Sequence, residues 1–363
     1  MNIRLSLVNV TANSTEMRAQ SSTHDRESSQ FVSGDWVEVR SREEILATLD
    51  ENGRLDGLPF MPEMFEFCGK RFTVFKRAHK TCDPPSGLRG RRMDSAVHLE
   101  GVRCSGEGHG GCQAACLMFW KNAWLKSANG PSQSAAASTP REAKGCSEAQ
   151  VQAQTRRSGD PADVEPIYSC QSTELFQATQ PLQWWDLRQY VEDYTSGNVS
   201  LSRMFASFVF FVWDFLATSG LGLGAGLRWT YDNFQKLRGA TPYPARIGTV
   251  PEGTKTPSVT LNLQPGELVK VKRYDEILKT LDEHGHNRGM WFDPEMVPYC
   301  GGTYRVLRRV NSIINEKTGR MQHMKNSCIV LEDVACASCY AKYRKFCPRS
   351  IFAYWREIWL ERA

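Results

Sequence analysis

The residues best able to do chemistry are the twelve cysteines, eight of which fall into two groups. In the first half Cys104, Cys112 and Cys116 lie close together, with Cys82 upstream and His79 and His109 nearby. In the second half Cys336, Cys339 and Cys347 do the same, with Cys328 upstream. Thiolates are soft donors, and a structural zinc takes four of them, or a mixture with imidazole, in a tetrahedron. A turn across Cys336-x-x-Cys339 can bring two sulfurs to one ion, and Cys112 and Cys116 share a face if their segment is helical. The spacing predicts one site from Cys82, Cys104, Cys112 and Cys116, with His79 or His109 as substitutes. It predicts a second from Cys328, Cys336, Cys339 and Cys347. Zinc is the expected metal, with iron, as a cluster on the same thiolates, ranked behind it. Neither set has the paired CxxC spacing of a zinc ribbon, so the competing reading is of small buried hydrophobes. That reading is preferred for Cys146 and Cys170, and for Cys68 and Cys300, each of which precedes a glycine.

Other chemistry is weaker. Glu63 and Glu295 stand in matched Pro-Glu-Met turns, where a carboxylate is either a base or a helix-start residue, and the capping role is preferred. The stretch from Tyr340 to Lys345 alternates aromatic and basic residues, a pattern suited to single-stranded nucleic acid but more often a solvated face. The overall balance of 45 basic against 40 acidic residues argues against nucleic acid as a partner. Gly-x-Ser-x-Gly, P-loop and His-Glu-x-x-His motifs are missing from the sequence.

The elements that must position these residues are announced by an internal match. Residues 34–77 align without a gap to residues 266–309, with roughly 20 of 44 positions identical. The match includes Phe60-x-Pro62-Glu63-Met64 with Phe292-x-Pro294-Glu295-Met296, and Cys68-Gly69 with Cys300-Gly301. Beyond it Cys104 pairs with Cys336, and Cys112, Trp120 and Trp124 pair with Cys347, Trp355 and Trp359 after a three-residue length difference. Such a match means duplication, and two copies suit pseudo-two-fold packing better than a solenoid. Each copy opens with alternating valines, Val37 and Val39 or Val269 and Val271, as in a half-buried strand. Short strands separated by turns suit a small SH3-like barrel. The tryptophan spacing predicts a closing helix in each copy, over 112–126 and 348–361, the latter with Pro348 in its first turn.

The expected fold is α+β: two pseudo-repeated SH3-like β-rich modules, each with a C-terminal helix, joined by a helical middle segment. The expected boundaries are a disordered 1–32, a first module at 33–126, a linker at 127–165, a helical segment at 166–262 and a second module at 263–363. The apolar run 204–227 has the length of a membrane span. Asp214 near its centre and Gly220, Gly222, Gly224 and Gly226 oppose that reading. A buried core helix is therefore expected, membrane association through 204–227 not being favoured. The first residues lack the apolar run of a secretory signal, so a cytoplasmic location with reduced cysteines is expected.

The motifs at 298–306 and 346–359 (Pro298-Tyr-Cys-Gly-Gly-Thr-Tyr-Arg-Val, Phe346-Cys-Pro-Arg…Trp359) resemble those of conserved microbial proteins of uncharacterised activity. The resemblance implies a shared architecture and carries no activity; the N-terminal tail and the linker look like additions to it. The first functional expectation is a cysteine-rich metal-binding protein acting as a binding or scaffolding component for a protein or small-molecule partner. The alternative is a metalloenzyme of a biosynthetic pathway, its site between the two modules. A closed four-ligand site favours the first, and a three-ligand site with an open position the second.

Overall fold

Alternating apolar residues do become strands. In the computed structural model, which describes residues 30–87, 89–130, 145–157 and 165–363, Val37, Val39, Val269 and Val271 are all fully buried. They lie in two antiparallel sheets, each curved into a half-barrel. The first runs Leu117–Lys121, Ala96–Arg103, Arg71–Arg77, Trp36–Val39, Leu125–Ser127. The second runs Met321–Leu331, Thr303–Ile314, Leu268–Val271, Leu360–Arg362. With several helices between and around them, the fold is mixed α+β.

The two sheets are laid out alike. Val37 stands opposite Phe72 on one side and Ser127 on the other, while Val269 stands opposite Tyr304 and Arg362. Val97 pairs with Trp120, and Ile329 bridges to Trp355. All four tryptophans, Trp120, Trp124, Trp355 and Trp359, are fully buried. Phe60 meets Trp124 edge-on at 5.1 Å, as Phe292 meets Trp359 at 5.1 Å. The Trp124 indole donates to Thr48 Oγ1 at 3.1 Å and the Trp359 indole to Thr280 Oγ1 at 2.9 Å.

The expected C-terminal helices do not form. Residues 112–126 pass through the strand Leu117–Lys121, one 3₁₀ turn at Asn122–Trp124 and the strand Leu125–Ser127. Residues 348–361 reach the 3₁₀ turn Glu357–Trp359 and the strand Leu360–Arg362 without an α-helix, so Pro348 opens none. A spacing of four puts two tryptophans on one helix face, but a strand followed by a 3₁₀ turn brings them together equally well. Every residue of Leu117–Lys121 is buried, which fits a strand covered on both faces.

Of the expected linker, residues 131–144 and 158–164 lie outside the described residues, as does most of the N-terminal segment expected to be disordered. The described piece 145–157 carries the helix Glu148–Ala153, opened by a Ser147/Gln150 capping box. Val151 is fully buried, and Gln154 Nε2 donates to the carbonyls of Gly53 and Phe60, both at 3.0 Å.

The middle segment contains helices Arg188–Thr195, Leu201–Thr218 and Gly224–Leu237. The expectation of a buried core helix over 204–227 is not met. Gly220 and Gly222, with φ of +77° and +75°, turn the chain back at 219–223. Of the helix Leu201–Thr218 only Ser207, Phe210 and Ala217 are buried. By length and composition that helix could cross a membrane.

Thr280→Val should cost about 1–3 kcal/mol, because it strips the buried Trp359 N–H of its acceptor while keeping the side-chain shape. Thr48→Val should behave likewise, and denaturant unfolding of the single and double variants measures both.

Candidate metal centre

Cys104 follows directly on the strand Ala96–Arg103, where the chain leaves the sheet for a glycine-rich loop. Gly106 has φ +83° and lies so close to the Cys112 carbonyl that a side chain there would collide with it. A Cβ at Gly108 would sit 2.5 Å from Glu63 Oε2. The loop is thus wrapped onto Glu63, which comes from the 3₁₀ helix Pro62–Phe67. His109, at the end of the 3₁₀ turn Glu107–His109, is buried.

Three unlike donors converge here. The Cys104 thiol donates to Glu63 Oε1 at 3.1 Å, and its sulfur lies 3.5 Å from His109 Nε2. His109 Nδ1 is 3.4 Å from Glu63 Oε1, at an angle that makes no hydrogen bond, so Nδ1 and Glu63 Oε2 are both buried without a hydrogen-bond partner. One ligand atom from each residue falls within 4.8 Å of the others. Burial, with the Glu63 carboxylate adding to it, pushes the Cys104 thiol far up. Burial pushes the His109 imidazole down against the pull of Glu63. Both groups are neutral near pH 7.

Beside the three lies a cavity of ≈ 30 Å³, lined among others by Cys104, His109, Cys112, Cys116, Cys170 and Glu316. It is large enough for one water or ion. Cys112 Sγ accepts the Ile314 N–H at 3.3 Å, and the Ser172 hydroxyl donates to Cys116 Sγ at 3.5 Å. Cys116, Ala114, Ile314 and Glu316 also line a cleft of ≈ 560 Å³. Pro84, Pro85, Asp293, Arg344 and Tyr354 also line this cleft.

At the matched position of the second sheet the chemistry differs. Glu295 accepts the backbone N–H groups of Cys339, Tyr340 and Ala341 at 3.0, 2.6 and 3.0 Å. Burial still raises its pKa, with those N–H groups working the other way. Glu295 anchors a loop with its carboxylate. Neither glutamate caps its own helix through its side chain, as the turn position suggested.

The cysteines are distributed differently from the sequence grouping. Cys104, Cys112 and Cys116 share the small cavity, joined by Cys170, whose thiol burial raises to about 12. Cys82 is not with them. It lies on the strand Lys80–Asp83 and hydrogen-bonds to Cys347 of the second half. Cys336 has its sulfur 3.3 Å from Ser338 Oγ and lies near Cys347. Cys339 Sγ accepts from the Arg203 guanidinium at 3.2 and 3.1 Å. Cys328 is sealed in a core with Val310, Val330 and Phe352. His79 faces Asp193 Oδ1 at 3.2 Å instead of the Cys104 loop. Spacing grouped Cys82 with Cys104, whereas the strand Lys80–Asp83 carries it to Cys347 of the other half, a long-range event. Glu63 stood out through its twin, with the capping role preferred for it, whereas Cys170 and Glu316 carry no local signal.

Comparison of the chain with protein-family models, with curated proteins and with solved structures gives no match.

The Cys82–Cys347 pair makes a pH prediction. Burial opposes the Cys347 thiolate, but the Cys82 hydrogen bond and the Arg349 backbone N–H outweigh it and bring its pKa from 9.0 to about 7. The lowered Cys347 value stabilises the fold and that contribution is lost as pH falls from 9.0 through about 7, while above pH 9.0 the raised Cys82 thiol works against it. Thiolate absorbance of the native protein should show one proton leaving near pH 7, and Cys82→Ala should move that step upward. An unchanged step would remove the Cys82 hydrogen bond as its cause.

Proposed function

We propose that the protein is a zinc-type metalloenzyme that binds one ion through Glu63, Cys104 and His109. What carries the reading is the convergence of a carboxylate, a thiol and an imidazole within 4.8 Å, beside an ion-sized cavity. The unpartnered Glu63 Oε2 and His109 Nδ1 support it, since buried polar atoms are normally satisfied and a cation would satisfy these. A divalent ion also reverses the neutral-thiol preference of Cys104, because a coordinating thiol is deprotonated outright. Three protein ligands with an open position form the catalytic type of zinc site, where the metal supplies Lewis acidity. The cleft of ≈ 560 Å³ that adjoins the cavity is of small-molecule size.

The fold fits a duplicated SH3-like module with divided labour. Equivalent strand registers and Trp–Thr hydrogen bonds support the duplication. In that reading the Glu63 copy holds the metal, and the Glu295 copy spends its carboxylate on a loop. All twelve cysteines are free, in keeping with a reducing, cytoplasmic setting.

One observation favours a second reading, a metal-stapled binding or scaffolding component. Cys112, Cys116 and Cys170 surround the same cavity and could close a sulfur-rich structural site with Cys104.

Metal analysis and X-ray absorption of the purified protein separate the two. The enzyme reading expects about one zinc per chain with one sulfur and several nitrogen or oxygen ligands, whereas the scaffold reading expects three or four sulfurs. Glu63→Gln, Cys104→Ser and His109→Ala should each lower the zinc content severalfold, with Cys328→Ser leaving it unchanged. Metal-free protein of undiminished stability would end both readings.

A further inference from the structure

The hairpin formed by Leu201–Thr218 and Gly224–Leu237 has one satisfied face and one bare one. Inside, Phe210 packs on Tyr231 and Tyr243 at 5.8 and 6.1 Å, and the Trp213 indole donates to the Leu227 carbonyl at 3.1 Å. Outside, Phe205, Val212, Phe215, Leu221 and Leu223 are each more than half exposed, and Trp229 is 69% exposed. A contiguous apolar surface of this kind marks an interaction site.

The charges indicate what covers it. Between Arg203 and Arg228 the sole charged residue is Asp214, and its carboxylate takes the Tyr243 hydroxyl at 2.5 Å. The acid of the second helix, Asp232, accepts the Tyr243 N–H at 2.7 Å and pairs with Arg246. Both acids are therefore occupied on the inner side. Arg228 also turns inward, over the Tyr243 ring, so the charges left exposed on the second helix and just after it are basic: Lys236 and Arg238. The tip itself, 219–223, is a narrow glycine turn bearing two exposed leucines. An apolar tip and face with exposed cations at the far end of the second helix complement an anionic bilayer on which the hairpin lies flat: leucines enter the acyl boundary, Trp229 suits the interface, and Lys236 and Arg238 meet headgroups. The first helix is about 27 Å long, close to the hydrocarbon thickness. The charges of the second helix make insertion at the interface, not spanning, the arrangement that leaves none of them in hydrocarbon.

We propose that this hairpin docks the protein on membranes containing anionic lipid, with Leu221 and Leu223 penetrating and Lys236 and Arg238 at the headgroups. The test is flotation of the full-length protein with vesicles of phosphatidylcholine alone or mixed with phosphatidylserine. The expected result is co-flotation that favours the phosphatidylserine vesicles. Leu221→Asp with Leu223→Asp should lower the bound fraction by about tenfold or more. Lys236→Glu with Arg238→Glu should erase the preference for phosphatidylserine. Both variants alter exposed side chains, and an unchanged circular dichroism spectrum checks that each is folded. No flotation with either vesicle, or flotation indifferent to the tip substitutions, overturns the proposal. So does a concentration-dependent dimer that the tip substitutions dissolve, which would make a second copy the occupant.

Discussion

Each sheet depends on the return of its last strand to its first. Leu125 comes back to pair with Val39, and Leu360 with Val271. The return is held by a buried tryptophan whose N–H finds a threonine in the helix–turn segment after the first strand. A buried indole whose one donor is satisfied avoids the cost of a stranded N–H, so in Trp124 and Trp359 packing and hydrogen bonding constrain the same residue. The neighbouring tryptophans Trp120 and Trp355 have no such partner for their N–H. They are packed instead against aromatic rings, Trp120 against Phe60 and Phe67 and Trp355 against Phe292.

That closure determines what the intervening loops can do. In the first half the chain between the strands Ala96–Arg103 and Leu117–Lys121 must turn sharply, and Gly106, Gly110 and Gly111, all with positive φ, provide the turns. The tight loop brings Cys104 and His109 onto the glutamate of the Pro62–Phe67 turn. In the second half the equivalent loop is longer and presents backbone N–H groups to Glu295 instead of a thiol and an imidazole. Two glutamates in matching Pro-Glu-Met segments thus have two chemistries, decided by what the facing loop offers each.

The two halves are also sewn together. Ile314 N–H donates to Cys112, Gln113 Oε1 accepts the backbone N–H groups of Asn311 and Ser312, and Arg349 reaches Ser172 Oγ at 2.9 Å. Arg349 is almost completely buried, and its partner Glu316 lines both the small cavity and the larger cleft. The site is therefore built at a seam, where side chains distant in sequence meet.

The sequence alone determined the strand pattern of each half, because alternation at Val37/Val39 and Val269/Val271 is a local property of a half-buried strand. It also determined that Glu63 and Glu295 hold matched places, and that cysteines cluster around the first loop. The tryptophan spacing misled, since four residues span either one helical turn or a strand plus a 3₁₀ turn, and only long-range pairing chooses between them. Composition alone overestimated the burial of 204–227: apolar residues record what a helix could bury, whereas the turn at Gly220 and Gly222 decides how much of it meets the body of the protein. The partner of Cys82, the arrival of Cys170 at the cavity and the separation of Cys328 from the other thiols were likewise tertiary decisions. The first two depend on contacts between residues more than fifty positions apart, and the third on the pairing of Cys328 with Val310 across two strands, none of which a local pattern encodes.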